Sequence, residues 1–224
     1  MIITRTPFRI SFAGGGTDLR VFYSQEPGKV ISSSINKYIY VVIKRQIGIV
    51  EYKYRINWSK VEFTNKLEDI EHPIVREALI FFNIDFPIEI TTFSDIPGQT
   101  GLGSSSAFAV GLVHALHALK GKMVTKHTIA TEAAHLEVDV LGRAMGKQDH
   151  FASAYGNLNV FTFTSDEVVS VEPVLYDAET KKHIQSNLML FYLKSKRDAS
   201  KILESQQRET QNKLNELRSI KNLV

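Results

Sequence analysis

An α+β domain is predicted by three observations: strand-type runs crowd the first half of the chain, two helices follow in its middle, and a further strand pair comes after them. Residues 38–44 (YIYVVIK) are β-branched and aromatic; residues 50–56 (VEYKYRI) alternate as a half-buried strand does, and residues 86–92 (FPIEITT) repeat that alternation. Residues 104–119 are almost wholly apolar and run into Lys120-Gly121, which predicts a buried helix with a glycine stop. A second helix is expected over 127–141, closed by Gly142. Residues 157–163 and 168–174 read as strands joined through the polar turn Thr164-Ser165-Asp166-Glu167. A polar seam over 176–186 (YDAETKKHIQS) then precedes an apolar strand at 188–193. From Asp198 onward a long polar helix is expected, with Glu204/Arg208 and Glu209/Lys213 at i,i+4 spacing and Leu214, Leu217 and Ile220 along one side.

Composition narrows the function classes. With 224 residues, 43% hydrophobic and 23% charged, the chain can bury the core of one large domain or of one and a half. Lys and Arg number 27 against 24 Asp and Glu, and a balance of +3 is too small and too dispersed to point to a nucleic acid. The absence of cysteine excludes disulfides, thiolate metal sites and a cysteine nucleophile. The apolar pieces near Met1 are short and are broken by Arg5 and Pro7, so neither a signal peptide nor a membrane span is expected, and a cytoplasmic location is.

Three segments carry chemistry. The first is PGQTGLGSSSA (97–107), where glycines and serines leave backbone N–H groups uncovered just before a helix whose N-terminal dipole favours an anion. It has neither the Lys of a Walker loop nor the third glycine of a dinucleotide fingerprint, a position held by Ser106. A nucleotide phosphate is the expected guest, although a glycine turn whose serines merely cap the helix has the same composition. The second is PFRISFAGGGTD (7–18), which sets a lone Arg9 in a strand-like run and then Gly14, Gly15 and Gly16 before Thr17 and Asp18. Such a turn can approach a polyhydroxyl ligand closely, or simply let Asp18 cap the next helix. The third, residues 132–149, places Glu137 on a helix that ends at Gly142, so that Asp149 can return to the same cleft. One carboxylate then suits Mg²⁺ and the other a hydroxyl, while Glu132 and Asp139 are ordinary helix acids nearby.

Taken together and in this order, the three segments resemble the GHMP kinases over about the first 180 residues. RISFAGGGTDL, SINKY and GKQDHFASAYG are similar to the sugar-kinase branch that contains the heptose 7-phosphate kinases, whereas the Gly-Glu-His-x-Asp sequence of galactokinases is replaced by Gly-Gly-Gly-Thr-Asp. The resemblance implies an N-terminal domain over 1–180, with a fold shared by a ribosomal protein domain, and the start of a ferredoxin-like C-terminal domain over 186–224. It implies an ATP- and Mg²⁺-dependent transfer of the γ-phosphoryl group to a sugar hydroxyl. Gly98, Gly101, Leu102, Gly103, Ser104, Ser105 and Ser106 would wrap the phosphates, with the Ser105 hydroxyl and the Glu137 carboxylate at the metal. Asp149 would take the proton of the attacking hydroxyl, Arg9 would hold Asp149 charged and stabilise developing charge, and Gly16, Thr17 and Asp18 would orient the sugar.

The chain also departs from the family. His150 stands where the family usually has Gln and is expected to point away from the site, and no glycine cluster follows Gly156. The family's C-terminal domain is expected to be truncated: the sequence is a fragment, a truncated gene product, or one whose partner supplies the rest, and the face of Leu214, Leu217, Ile220 and Val224 would suit pairing, as in a homodimer. Three readings follow: a kinase of a sugar phosphate such as a heptose phosphate, a catalytically incompetent ATP- or sugar-binding module, and an RNA-binding protein. The filled chemical positions and the absence of a basic stripe favour the first, with no nucleic-acid or membrane partner expected.

Overall fold

The computed structural model describes residues 1–98, 100–191 and 209–224. Its organising element is β2 (Gly28–Arg45), long enough to serve several partners. One edge of β2 pairs antiparallel with β1 (Ile2–Ala13), from Ile2↔Ile43 to Ala13↔Ile31. The C-terminal half of its other edge pairs with β5 (Ile88–Ser94), and the N-terminal half pairs with β6 (Leu158–Phe163). β3 (Tyr54–Asn57) runs parallel to β5 and antiparallel to β4 (Val61–Thr64), and β7 (Val169–Pro173) flanks β6. The result is a seven-stranded sheet in the order β4-β3-β5-β2-β6-β7, with β1 on the free edge of β2.

Strand alternation explains why helices cover the sheet. Thr4, Thr6 and Phe8 of β1, Tyr54 and Ile56 of β3, and Ile88 and Ile90 of β5 are buried at every second position. The helix α3 (Ser104–Leu119) lies across β1 and β2 and is buried from Ser106 to His117 save for His114, as its nearly continuous apolar sequence requires. Around it pack α2 (Pro73–Phe81), α4 (Lys126–Ala134) and α5 (Gln148–Tyr155); α1 (Arg20–Tyr23) is a single turn after the glycine-rich segment.

Several expected elements differ in detail. Within the run 50–56 only Tyr54 onward is strand, because pairing with β5 begins at Tyr54↔Ile88. The helix expected over 127–141 changes character: α4 ends at Ala134, and His135–Val140 form a π-helical turn whose next amide, Leu141 N–H, donates to Leu136 O at 3.0 Å. The polar seam is a helix, α6 (Ala178–Ser186), because Asp177 caps it by accepting from Thr180 N at 2.7 Å; none of its residues is buried. Residues 188–191 form no strand, and no strand among the described residues pairs with them. Residues 192 and 193, and the start of the expected polar helix with Glu204 and Arg208, lie outside the described residues.

The chain resumes as a 3₁₀ turn, Thr210–Lys213, and α7 (Leu214–Lys221). Glu209 and Lys213 form the expected ion pair. The apolar side is not freely exposed, because Leu217 is buried, while Ile220 remains 39% exposed. Glu26 accepts from Arg218 Nε at 2.5 Å and Lys221 Nζ at 2.6 Å, which ties α7 to the chain just after α1.

Candidate active site

The serines of the glycine-rich loop do not cap α3. Gly103 is the N-cap in the left-handed region (φ +74°), with no side-chain cap, and Gly101 has φ +77°. The first helical bond runs from Ala107 N to Gly103 O at 2.9 Å, so the amides of Ser104, Ser105 and Ser106 have no acceptor within the helix. Three donors at the positive end of a sixteen-residue helix make a cradle for an anion. Ser106 is buried with no partner for its hydroxyl among the described residues, whereas Ser104 and Ser105 are partly exposed.

Arg9 and Asp149 meet at this cradle from 140 residues apart in sequence. The register of β1 against β2 shifts between Pro7 and Arg9, an irregularity of the kind that re-aims a side chain. Arg9 donates from Nε to Asp149 Oδ1 at 2.7 Å and from Nη2 to Oδ2 at 2.6 Å, a two-pronged fork. Its third nitrogen, Nη1, donates to Gly101 O at 3.0 Å. Asp149 lies in the first turn of α5, where the helix dipole favours a carboxylate, and a Cβ on Gly103 would stand 3.0 Å from its Oδ2. The side chain of Asp149 keeps 15% of its surface exposed, so solvent can reach it.

The glycine turn at residues 14–18 is more enclosed than its composition suggests. Thr17, expected to help orient the sugar, is fully buried, with acceptors at Gly14 O (2.7 Å) and Lys29 O (2.9 Å), and it accepts from Lys29 N at 3.0 Å. Asp18 neither caps α1 nor faces open solvent. Its carboxylate accepts from Gly16 N at 3.1 Å, Gln148 Nε2 at 2.8 Å and Gln148 N at 3.1 Å. Gly146 is required here, since a Cβ on it would fall 1.9 Å from Asp18 Oδ2. Burial, and then the charge of Asp149, push the Asp18 carboxyl up to about 6, against the opposing pull of the backbone hydrogen bonds. Gln148 also accepts from the Ser11 hydroxyl at 2.7 Å, so it bridges β1 and the glycine turn one residue before Asp149.

Glu137 sits on the π-helical turn and is completely buried. His150 does not point away. It is fully buried, and its Nε2 lies 2.9 Å from Glu137 Oε2, because the first turn of α5 places residues 149 and 150 on different sides. Arg143 Nη1 donates to Oε1, and the Ser105 hydroxyl stands near this carboxylate. Burial pushes the Glu137 carboxyl up, but His150, Arg143 and Ser105 together hold it below its ordinary value. Among the described residues no group of three or more His, Asp or Glu side chains forms a metal cage. One carboxylate and one hydroxyl beside an anion cradle instead suit Mg²⁺, which retains waters and takes its remaining ligands from phosphate oxygens.

Residues 72–157 match the family model of the GHMP kinases N terminal domain. This stretch is similar to the N-terminal domain of the GHMP kinases. The match includes the α3 loop, Glu137 and Asp149, while Arg9 and the glycine turn precede it. The chain is 28% identical over 215 residues to D-glycero-alpha-D-manno-heptose 7-phosphate kinase of Campylobacter jejuni, covering 91% of this chain and 62% of that protein. It is 23% identical over 215 residues to a galactokinase of Thermotoga petrophila, covering 90% of this chain and 59% of the relative. It thus spans about three fifths of the length of these relatives. A similar fold is seen in a D-glycero-D-manno-heptose 1-phosphate kinase from Bacteriodes thetaiotaomicron, with a TM-score of 0.77 at 22% identity over 97% of this chain and 74% of the other. A mevalonate kinase from Methanococcus jannaschii matches with a TM-score of 0.60 at 17% identity over 96% of this chain and 72% of the other.

Sequence reasoning singled out neither Gln148 nor Arg143. Gln148 lies inside the GKQD motif that carried the resemblance, which is the one signal that could have marked it. Arg143 is distinguished by nothing except its place between Gly142 and Gly146.

Proposed function

We propose that this chain is the nucleotide- and acceptor-binding part of an ATP- and Mg²⁺-dependent sugar kinase that phosphorylates D-glycero-D-manno-heptose 7-phosphate at its anomeric hydroxyl. One observation carries the reading: Arg9 grips Asp149 with two prongs and the carbonyl of Gly101 with the third, which brings a carboxylate to the mouth of an anion cradle. The heptose phosphate is favoured by the Campylobacter jejuni relative's name and by Gly-Gly-Gly-Thr-Asp in the glycine turn. The division into a domain over 1–180 and the beginning of another over 186–224 belongs to the same proposal.

In this mechanism the amides of Gly101, Gly103, Ser104, Ser105 and Ser106 hold the phosphates, with Gly98 and Leu102 shaping the approach. Ser105 and Glu137 would hold the metal, which when bound would neutralise charge on the phosphate oxygens. Asp149 accepts the proton of the attacking hydroxyl, while the Arg9 fork fixes its orientation. A carboxylate is a weak base toward an alcohol, so the proton moves late, after the bond to phosphorus has begun to form. Asp18 acts from below: it holds Gln148, and through Gln148 the start of α5, at the height the acceptor requires. Gly16 contributes an amide to that latch, and Thr17 staples the turn to Lys29.

ADP release from Mg-ATP in the presence of heptose 7-phosphate tests the reading. Asp149→Asn is expected to lower turnover by about a thousandfold and to leave nucleotide affinity within a few fold. Retention of most of the rate by that variant would remove Asp149 from the role of base.

A further inference from the structure

Glu137 has two partners of different character. His150 belongs to α5, is fully buried, and holds Oε2 at 2.9 Å. Arg143 holds Oε1 but keeps 34% of its side chain exposed, and it rides on an irregular segment between Gly142, with φ +62°, and Gly146. A buried carboxylate needs neutralising neighbours, and in the chain alone the guanidinium supplies a permanent positive charge beside the His150 hydrogen bond. A divalent cation brings twice the charge in a smaller volume and requires a carboxylate oxygen of the same residue. Arg143 can withdraw toward solvent without leaving Glu137 orphaned, because His150 keeps the other oxygen.

We propose that Arg143 is a resident counter-cation at the metal position: its guanidinium neutralises Glu137 until a divalent cation enters with the nucleotide, and it then gives up Oε1. This inference rests on the sugar-kinase reading. Metal binding becomes an exchange of one cation for another, with His150 keeping the carboxylate in place throughout. Arg143 is thus a positioning residue that guards the anionic state of Glu137 and competes with the metal it prepares for.

The test is titration of the full chain with Mn²⁺ at saturating ADP, following the spin-resonance signal of free Mn²⁺, together with thermal unfolding in chelator. Arg143→Gln is expected to bind Mn²⁺ about fivefold more tightly than the wild type, since a competing pair of modest strength has been removed. Its melting temperature in chelator should fall, and the deficit should shrink at saturating Mn²⁺ and ADP. Unchanged or weaker Mn²⁺ binding would overturn the inference while leaving the kinase reading in place. If Arg143→Gln does not fold, Arg143→Lys decides by the same sign: a hydrated ammonium without the planar fork is displaced more easily, so about twofold tighter binding is expected, and equal or weaker binding overturns the exchange. A wild-type chain that takes up no Mn²⁺ with ADP would overturn the kinase reading, and the exchange with it.

Discussion

Asp18 and Glu137 are both carboxylates sealed inside the protein beside the same cleft, yet their surroundings drive them in opposite directions. Asp18 is compensated by amides from Gly16 and Gln148 and has Asp149 for a charged neighbour; burial and that neighbour raise it to about 6. Glu137 suffers the same burial, but His150 and Arg143 outweigh it and keep the group below the ordinary 4.5. Burial sets a common penalty, and the sign of the nearest charge decides whether the carboxylate yields its anionic form or keeps it. Asp18 is thereby suited to latch a turn, and Glu137 to remain an anion.

This contrast can be broken most forcefully at His150. Replacing it by Leu leaves Glu137 buried with one partner lost, and urea unfolding should show about 3 kcal/mol less stability. A loss no larger than that of Gln148→Ala would mean that the two carboxylates do not differ as described. The next effect is in pH. The raised Asp18 value means that the folded state binds this proton more tightly than the unfolded chain does, so its contribution is complete below about pH 4 and is lost as pH rises through about 6. A shift from 3.8 to about 6 corresponds to about 2–3 kcal/mol, visible as a decline in wild-type stability that Asp18→Asn lacks. Glu137 has the reverse sign: its contribution is present above 4.5 and is lost as pH falls below that value. The same slope in Asp18→Asn as in wild type would assign the decline to other groups. The smallest effect is at Gln148, where Ala removes a neutral amide donor from Asp18 but leaves the backbone donor. About 1 kcal/mol is expected in the same unfolding experiment.

How much of this was legible in the chain depended on the range of the forces involved. The bounds of α3 could be read directly, because a continuous apolar run between a glycine loop and Lys120-Gly121 is consistent at every level. Residues 50–52 read equally well as strand but pair with no strand among the described residues, and pairing is not a property of a single segment. The π turn under Glu137 was invisible because it has the composition of the helix it interrupts. The residue types of the site were legible, but their convergence was not. The Arg9 fork spans 140 positions, and it was the resemblance to a family, rather than spacing, that paired it with Asp149. Thr17 was chosen for its hydroxyl, and nothing local shows that Lys29 would claim it. Arg143 and His150 take their roles from the path between Gly142 and α5, which only the fold defines.

The account stands on the α3 amides and the Arg9–Asp149 fork serving a single nucleotide. Titration of Mg-ATP into ¹⁵N-labelled protein measures this directly. The amide resonances of Gly101, Gly103, Ser104, Ser105 and Ser106 should move together with the Arg9 Nε resonance, saturating at one nucleotide concentration. If those resonances stayed still while shifts gathered at another surface, such as the groove of about 540 Å³ lined by Lys126, Tyr155 and Lys181, the account would be contradicted.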